Sequence, residues 1–81
     1  MTDGAVINVK VVDQDGTEVH YKVRRTSTLA GLMHGHAQRL GTSATSVRFL
    51  FDGVRLRSSD TPESAELEEG SAIDALIEVV A

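Results

Sequence analysis

Between Glu18 and Arg24 the side chains alternate: Val19, Tyr21 and Val23 fall on one face, His20, Lys22 and Arg24 on the other. Successive side chains of an extended strand point to opposite faces, so this pattern specifies a β-strand with one face covered and one wet. A few residues later the period changes. Leu29, Leu32, Met33, His36, Ala37 and Leu40 recur at spacings of three and four, which is one face of an amphipathic helix. The covered face of the strand and the apolar face of the helix both need a partner. A helix lying across a sheet satisfies both, and that requirement constrains the rest of the chain.

The flanking segments supply the sheet. Residues 5–12 read as a first strand, with Ile7, Val9 and Val11 inward and Asn8 and Lys10 outward. Asp15-Gly16 is a hairpin signal, because glycine accepts positive φ; the first two strands should therefore pair antiparallel. Thr26, Ser27 and Thr28 offer an N-cap, with Ser27 expected, and Gly41 stands where a left-handed C-cap belongs. Gly31 and Gly35 each weaken the helix by ~1 kcal/mol relative to Ala, so it must lean on tertiary packing. Val47–Phe51 reads as a third strand, Asp52-Gly53 as a tight turn and residues 54–57 as a short return strand. Residues 58–63 form a polar loop with Pro62, leading into one helical or 3₁₀ turn with Leu67 as a core plug. After a turn at residues 68–71, residues 72–79 alternate again, with Ile73, Ala75, Ile77 and Val79 on one face. One helix on a mixed sheet is a two-layer α+β domain. A final strand beside the first would leave Glu18–Arg24 at an edge.

Composition removes several classes of function. With 81 residues there is room for one compact core, a single domain over residues 1–81. Residues 1–4 are expected to form a short disordered start, and residues 79–81 the end of the last strand or a tail. The net charge of −4 opposes general binding to phosphate backbones, so no nucleic-acid partner is expected. No apolar run approaches the ~20 residues of a membrane span. Absence of cysteine excludes disulfides and thiolate sites. His34 and His36 would point roughly 200° apart on a helix and could not share one ion. Asp13 and Asp15 supply at most a fragment of a calcium loop, because the required glycine and bidentate glutamate are out of place. No serine has a recognisable His and Asp context. Neither enzymatic activity nor a cofactor is expected. Glu63, Glu66, Glu68 and Glu69 read first as a solvated acidic face.

Four segments carry a resemblance: residues 14–23, residues 47–56, Asp60-Thr61-Pro62-Glu63, and residues 67–75. In their order and spacing the chain resembles the ubiquitin-like β-grasp family. Phe49-Leu50-Phe51-Asp52-Gly53 and the acidic Glu68-Glu69-Gly70 followed by Ile73-Asp74 are similar to its SUMO branch. The resemblance implies a modifier attached to lysines and read by proteins that carry a short apolar motif with acidic flanks. It places that peptide between the second strand and the helix. By position the groove would be Val19, Tyr21, Val23, Leu32 and His36, with His20, Lys22, Arg24 and Arg39 as a basic rim. A second surface, for the conjugating enzyme, would include Asp52, Glu66, Glu68 and Glu69, with Glu66 where the family commonly has glycine. Further implied partners are activating enzymes and proteases, should a Gly-Gly form exist. A monomer, nuclear and cytoplasmic, is expected.

Physical chemistry supports the groove independently. An open strand edge offers unpaired N–H and C=O groups to which an extended peptide can add. Lys22, Arg24 and Arg39 would draw acidic flanks and make association salt-sensitive. The chain also departs from the family. Val79-Val80-Ala81 stands where a mature SUMO ends in Gly-Gly, so the chain as written is not expected to be conjugated. The alternative is a non-conjugated SUMO-like scaffold domain of a larger protein, or an altered variant. Gly31 and His36 replace a basic and an aromatic residue common in the family. Lys10 and Lys22 lack the following x-Glu of a chain-forming site.

Overall fold

The first hairpin closes where Asp-Gly signals it. In the computed structural model, which describes residues 5–78, Asp13 donates its N–H to the Thr17 carbonyl and Gly16 donates to that of Asp13. Asp15 Oδ1 accepts the Thr17 N–H at 3.0 Å, and Gly16 takes φ 89°. The turn joins β1 (Val6–Val12) to β2 (Glu18–Arg24), paired antiparallel with Val9 opposite Tyr21. The expectations for residues 1–4 and 79–81 lie outside the described residues.

The remaining elements are α1 (Ala30–Arg39), a 3₁₀ turn at Ala44–Ser46, β3 (Val47–Phe51), β4 (Val54–Arg55) and β5 (Ala72–Ile77). β5 lies beside β1, parallel to it, with Val11 opposite Ile73. On its other side β5 runs antiparallel to β3, with Phe49 opposite Ala75. The sheet order is β2-β1-β5-β3-β4, which leaves β2 at an edge. Val9, Val11, Val47, Phe49, Ile73 and Ala75 form the sheet side of the core; Leu29, Leu32, Met33 and Ala37 lie over them. Leu67 is buried there as the expected plug.

Several boundaries differ from those the residues suggested. The helix does not start after Ser27. Ser27 donates its N–H to the Arg24 carbonyl in a turn that finishes β2. Leu29 is the N-cap residue, with no side-chain cap bond, and its N–H reaches the Asp60 carbonyl at 2.8 Å. The loop thus does at this helix start what a hydroxyl was expected to do. The other end follows expectation: Gly41, at φ 79°, donates to Gln38 while Thr42 donates to Ala37. These two bonds satisfy carbonyls that the last helical turn leaves open, as in a Schellman motif.

β4 is shorter than residues 54–57. Leu56 still donates to the Phe49 carbonyl, but the Arg57 N–H turns aside to Asp60 Oδ2. Between β3 and β4, Asp52 (φ 54°) and Gly53 (φ 80°) both have positive φ, the mark of a type I′ hairpin turn. The helical turn after the loop spans residues 61–66. Ala65 donates to Thr61, Glu66 to Glu63 and Leu67 to Pro62. Glu66 closes it at φ 62°, which explains in this chain why glycine suits the position. Ile77, expected in the buried row, is 40% exposed, and its N–H is taken by Gln14 Oε1.

Candidate peptide groove at the edge strand

The hairpin ladder decides which backbone groups of β2 are open. Arg25 donates to the Ala5 carbonyl and Asp13 to that of Thr17, one pair at each end of the hairpin. Bonded and non-bonded pairs alternate along an antiparallel ladder. With the observed register, Val19, Tyr21 and Val23 therefore bond toward β1, and the N–H and C=O groups of His20 and Lys22 point to the open edge. The Arg24 carbonyl is engaged by Ser27. Among the described residues no strand lies beyond β2.

Side chains follow the same alternation. Val19, Tyr21 and Val23 are half-buried, while His20, Lys22 and Arg24 are exposed on the opposite sheet face. Tyr21 and Val23 pack against the core under α1. Residues of a helix advance by about 100° each, so Leu32, Arg39, Gly35 and Gly31 form the flank nearest β2, with Met33 and Ala37 on the other. Leu32 is buried and Arg39 is exposed. A Cβ built on Gly31 or Gly35 would meet nothing within 4 Å, so this flank is bare. Neither Lys22 nor Arg39 is ion-paired among the described residues.

His36 requires a correction. Placed by position in the groove wall, it is 0% exposed and offers no surface to a ligand. Its ring lies beneath Tyr21, held from both sides. Tyr21 Oη stands 2.6 Å from Nδ1, and Asp13 Oδ1 stands 2.6 Å from Nε2. The Tyr21 and Phe49 rings each stand T-shaped to it, with centroids at 5.7 Å and 6.1 Å. Burial pushes the Tyr21 phenol above its ordinary pKa; nearby Arg39 opposes that and Asp13 adds to it. Tyr21 therefore keeps its hydroxyl proton. Asp13 was legible only as a turn residue. The one signal for its second role was His36 itself, because a buried polar ring needs partners.

The four acidic residues of the second surface are not equivalent. Asp52 sits in the β3–β4 turn, which the register brings to the end of the sheet where β5 begins. Glu66 and Glu68, which precede β5 in the chain, are exposed. Glu69 is no free member of a solvated face. Its Oε1 accepts the Asn8 backbone N–H and its Oε2 accepts Asn8 Nδ2, both at 2.9 Å. These bonds hold its carboxyl below the usual range. Glu69 thus supplies the acceptor that a neighbouring strand would give to β1. Among the described residues no group of three His, Cys, Asp or Glu could hold a metal ion. Nor, among the described residues, is any helix long and apolar enough to cross a membrane.

A five-stranded mixed sheet with one helix across it and its second strand at the edge defines a ubiquitin-fold domain. The solved ubiquitin of Caldiarchaeum subterraneum superposes with TM-score 0.83 over 95% of this chain and 99% of that one. At 16% identity it speaks to the fold alone. The solution structure of SUMO from Trypanosoma brucei gives TM-score 0.77 at 36% identity, over 95% of this chain and 76% of that one. The family described as "Ubiquitin-2 like Rad60 SUMO-like" matches residues 7–77. Small ubiquitin-related modifier 2 of Arabidopsis thaliana is 45% identical over 74 residues, covering 91% of this chain and 72% of the relative. The chain belongs to this SUMO-like family of ubiquitin-like domains.

Proposed function

We propose that the chain works as a SUMO-type modifier domain that binds, between β2 and α1, an extended apolar peptide with acidic flanks. The observation that carries this reading is the open edge of β2, whose apolar side chains face the helix. A peptide strand would pair with the backbone groups of His20 and Lys22. Its apolar side chains would rest on Val19, Tyr21, Val23 and the exposed remainder of Leu32. Its acidic flanks would meet Lys22 and Arg39, with Arg24 at the end of the strand. A conjugated modifier and a fixed interaction module would use this groove alike. On the same reading Asp52, Glu66 and Glu68 form an acidic face for a basic conjugating-enzyme surface, while the Glu69 carboxylate is committed to Asn8.

Titration with a Val/Ile-rich, acid-flanked peptide, followed by amide NMR, tests the groove. The expected changes cover residues 19–24 and 31–39. Changes confined to Leu50 or to residues 66–71 would refute it. Lys22→Glu and Arg39→Glu should weaken binding most at low ionic strength, because exposed charges are screened as salt rises.

A further inference from the structure

Asp13, His36 and Tyr21 form a hydrogen-bonded chain that runs from the β1–β2 turn, under α1, to the groove. We infer that Asp13 and His36 set the hydrogen-bonding polarity of the groove through the Tyr21 hydroxyl. It faces a ligand as an acceptor when His36 is neutral and as a donor when His36 is protonated. Peptides that place a carboxylate beside Tyr21 therefore bind more tightly as pH falls. The inference rests on the groove reading above and adds a rule for its selectivity.

The inventory of donors and acceptors fixes the direction of each bond. An Asp carboxylate can accept but not donate. The contact between Asp13 Oδ1 and Nε2 therefore needs the imidazole proton on Nε2. A neutral imidazole carries one proton, so Nδ1 must accept, and the Tyr21 hydroxyl donates to it across 2.6 Å. The phenol has then used its only hydrogen. What its oxygen has left is acceptor capacity, which repels a carboxylate and suits a hydroxyl or amide donor. Protonation of His36 makes both ring nitrogens donors. Nδ1–H must then point at the Tyr21 oxygen, and the hydroxyl hydrogen turns to other partners. A peptide carboxylate is now matched.

Among the described residues, two charged or titratable side chains are bonded to His36. Asp13 comes from the β1–β2 turn and Tyr21 from β2. Arg39, one turn along α1, acts on Tyr21. β3 contributes the uncharged Phe49 ring. His20, on the groove rim, and His34 are both exposed, so substitution separates their contribution from that of buried His36. Because coupling is reciprocal, a bound carboxylate must also favour protonation of His36.

The test uses two peptides with one apolar core, flanked by Glu or by Gln. Each is titrated at pH 8 and pH 5.5 into the protein, its His20→Gln variant and the His20→Gln, Tyr21→Phe double variant. Peptide glutamates stay mostly ionised at both values. With the rim histidine removed in His20→Gln, the preference for the Glu peptide should still grow about five- to tenfold on acidification, the worth of one hydrogen bond made rather than left unmade. When Tyr21→Phe is added, which keeps the ring and loses the hydroxyl, that growth should largely vanish. Imidazole ¹⁵N shifts of the unmutated protein give an independent readout. Neutral His36 should carry its proton on Nε2, and the saturating Glu peptide, but not the Gln peptide, should move the His36 midpoint upward. A proton on Nδ1, an unmoved midpoint, or a double-variant profile like that of His20→Gln each overturns the inference while leaving the groove standing. If neither peptide binds at any pH, the groove reading falls and the inference falls with it.

Discussion

Gly31 and Gly35 sit inside α1, where glycine weakens a helix by about 1 kcal/mol relative to Ala. A Cβ at either position would meet nothing within 4 Å. Gly31→Ala and Gly35→Ala should therefore gain backbone entropy with neither clash nor new packing. The gain is about 1 kcal/mol each and about 2 kcal/mol together, because the two methyls share no partner. For a domain of this size that raises the melting temperature by roughly 8–16 °C for the pair. Thermal melts of the single and double variants read the shift, and urea titrations should show a higher midpoint at unchanged slope. Unchanged or lowered stability would refute the reasoning. It would mean that α1 at these positions departs from a regular exposed helix, or that the bare flank is filled by something a methyl displaces.

Glu66 offers a second stabilising change. Relief of its left-handed backbone, worth about 1–2 kcal/mol, is partly offset by the extra freedom of glycine in the unfolded chain. Glu66→Gly should thus stabilise by about 0.5–1 kcal/mol, and a loss in denaturant melts would show that the Glu side chain matters more than its φ. Leu67→Ala should destabilise by about 2–5 kcal/mol through the cavity it leaves; a urea midpoint within error of the parent would contradict its role as a plug. The carboxyls of Asp15 and Glu69 are held below their ordinary pKa values by bonds from Thr17 and Asn8 respectively, backbone first. Their folded forms bind protons less readily than the unfolded chain. The stability they add is present above the ordinary carboxylate range, near pH ~4, and is lost as pH falls below it. Glu69→Gln should flatten part of that acid limb, and an identical limb would show that the Asn8 contact is not formed in solution.

The elements that could be read from residues are those whose signals are local. Period-two alternation marked β1, β2 and β3, and glycine at Gly16, Gly41 and Gly53 marked where the chain turns. What escaped was set by contacts distant in the chain. The start of α1 depends on the Asp60 carbonyl reaching Leu29, which no pattern near Ser27 could announce. β4 is cut short by the Arg57–Asp60 turn. Glu69 looked like one acid among four, because its partner, Asn8, lies at the far end of the chain. His36 was legible as a member of the apolar face; that it was held by Asp13 and Tyr21 was not. The open edge at β2 followed only once β5 was placed beside β1, which the order of elements permitted and the resemblance suggested.

That placement has a mechanical consequence. β1 and β5 are parallel neighbours in the middle of the sheet, joined from Lys10–Ala72 to Val12–Asp74. A force drawing the start of β1 away from the end of β5 slides the two strands along each other, so their cross-strand bonds are loaded together. The same force applied across the open ends of the β1–β2 hairpin would peel its bonds one at a time. The domain should resist traction along its own strands far better than traction at its open edge.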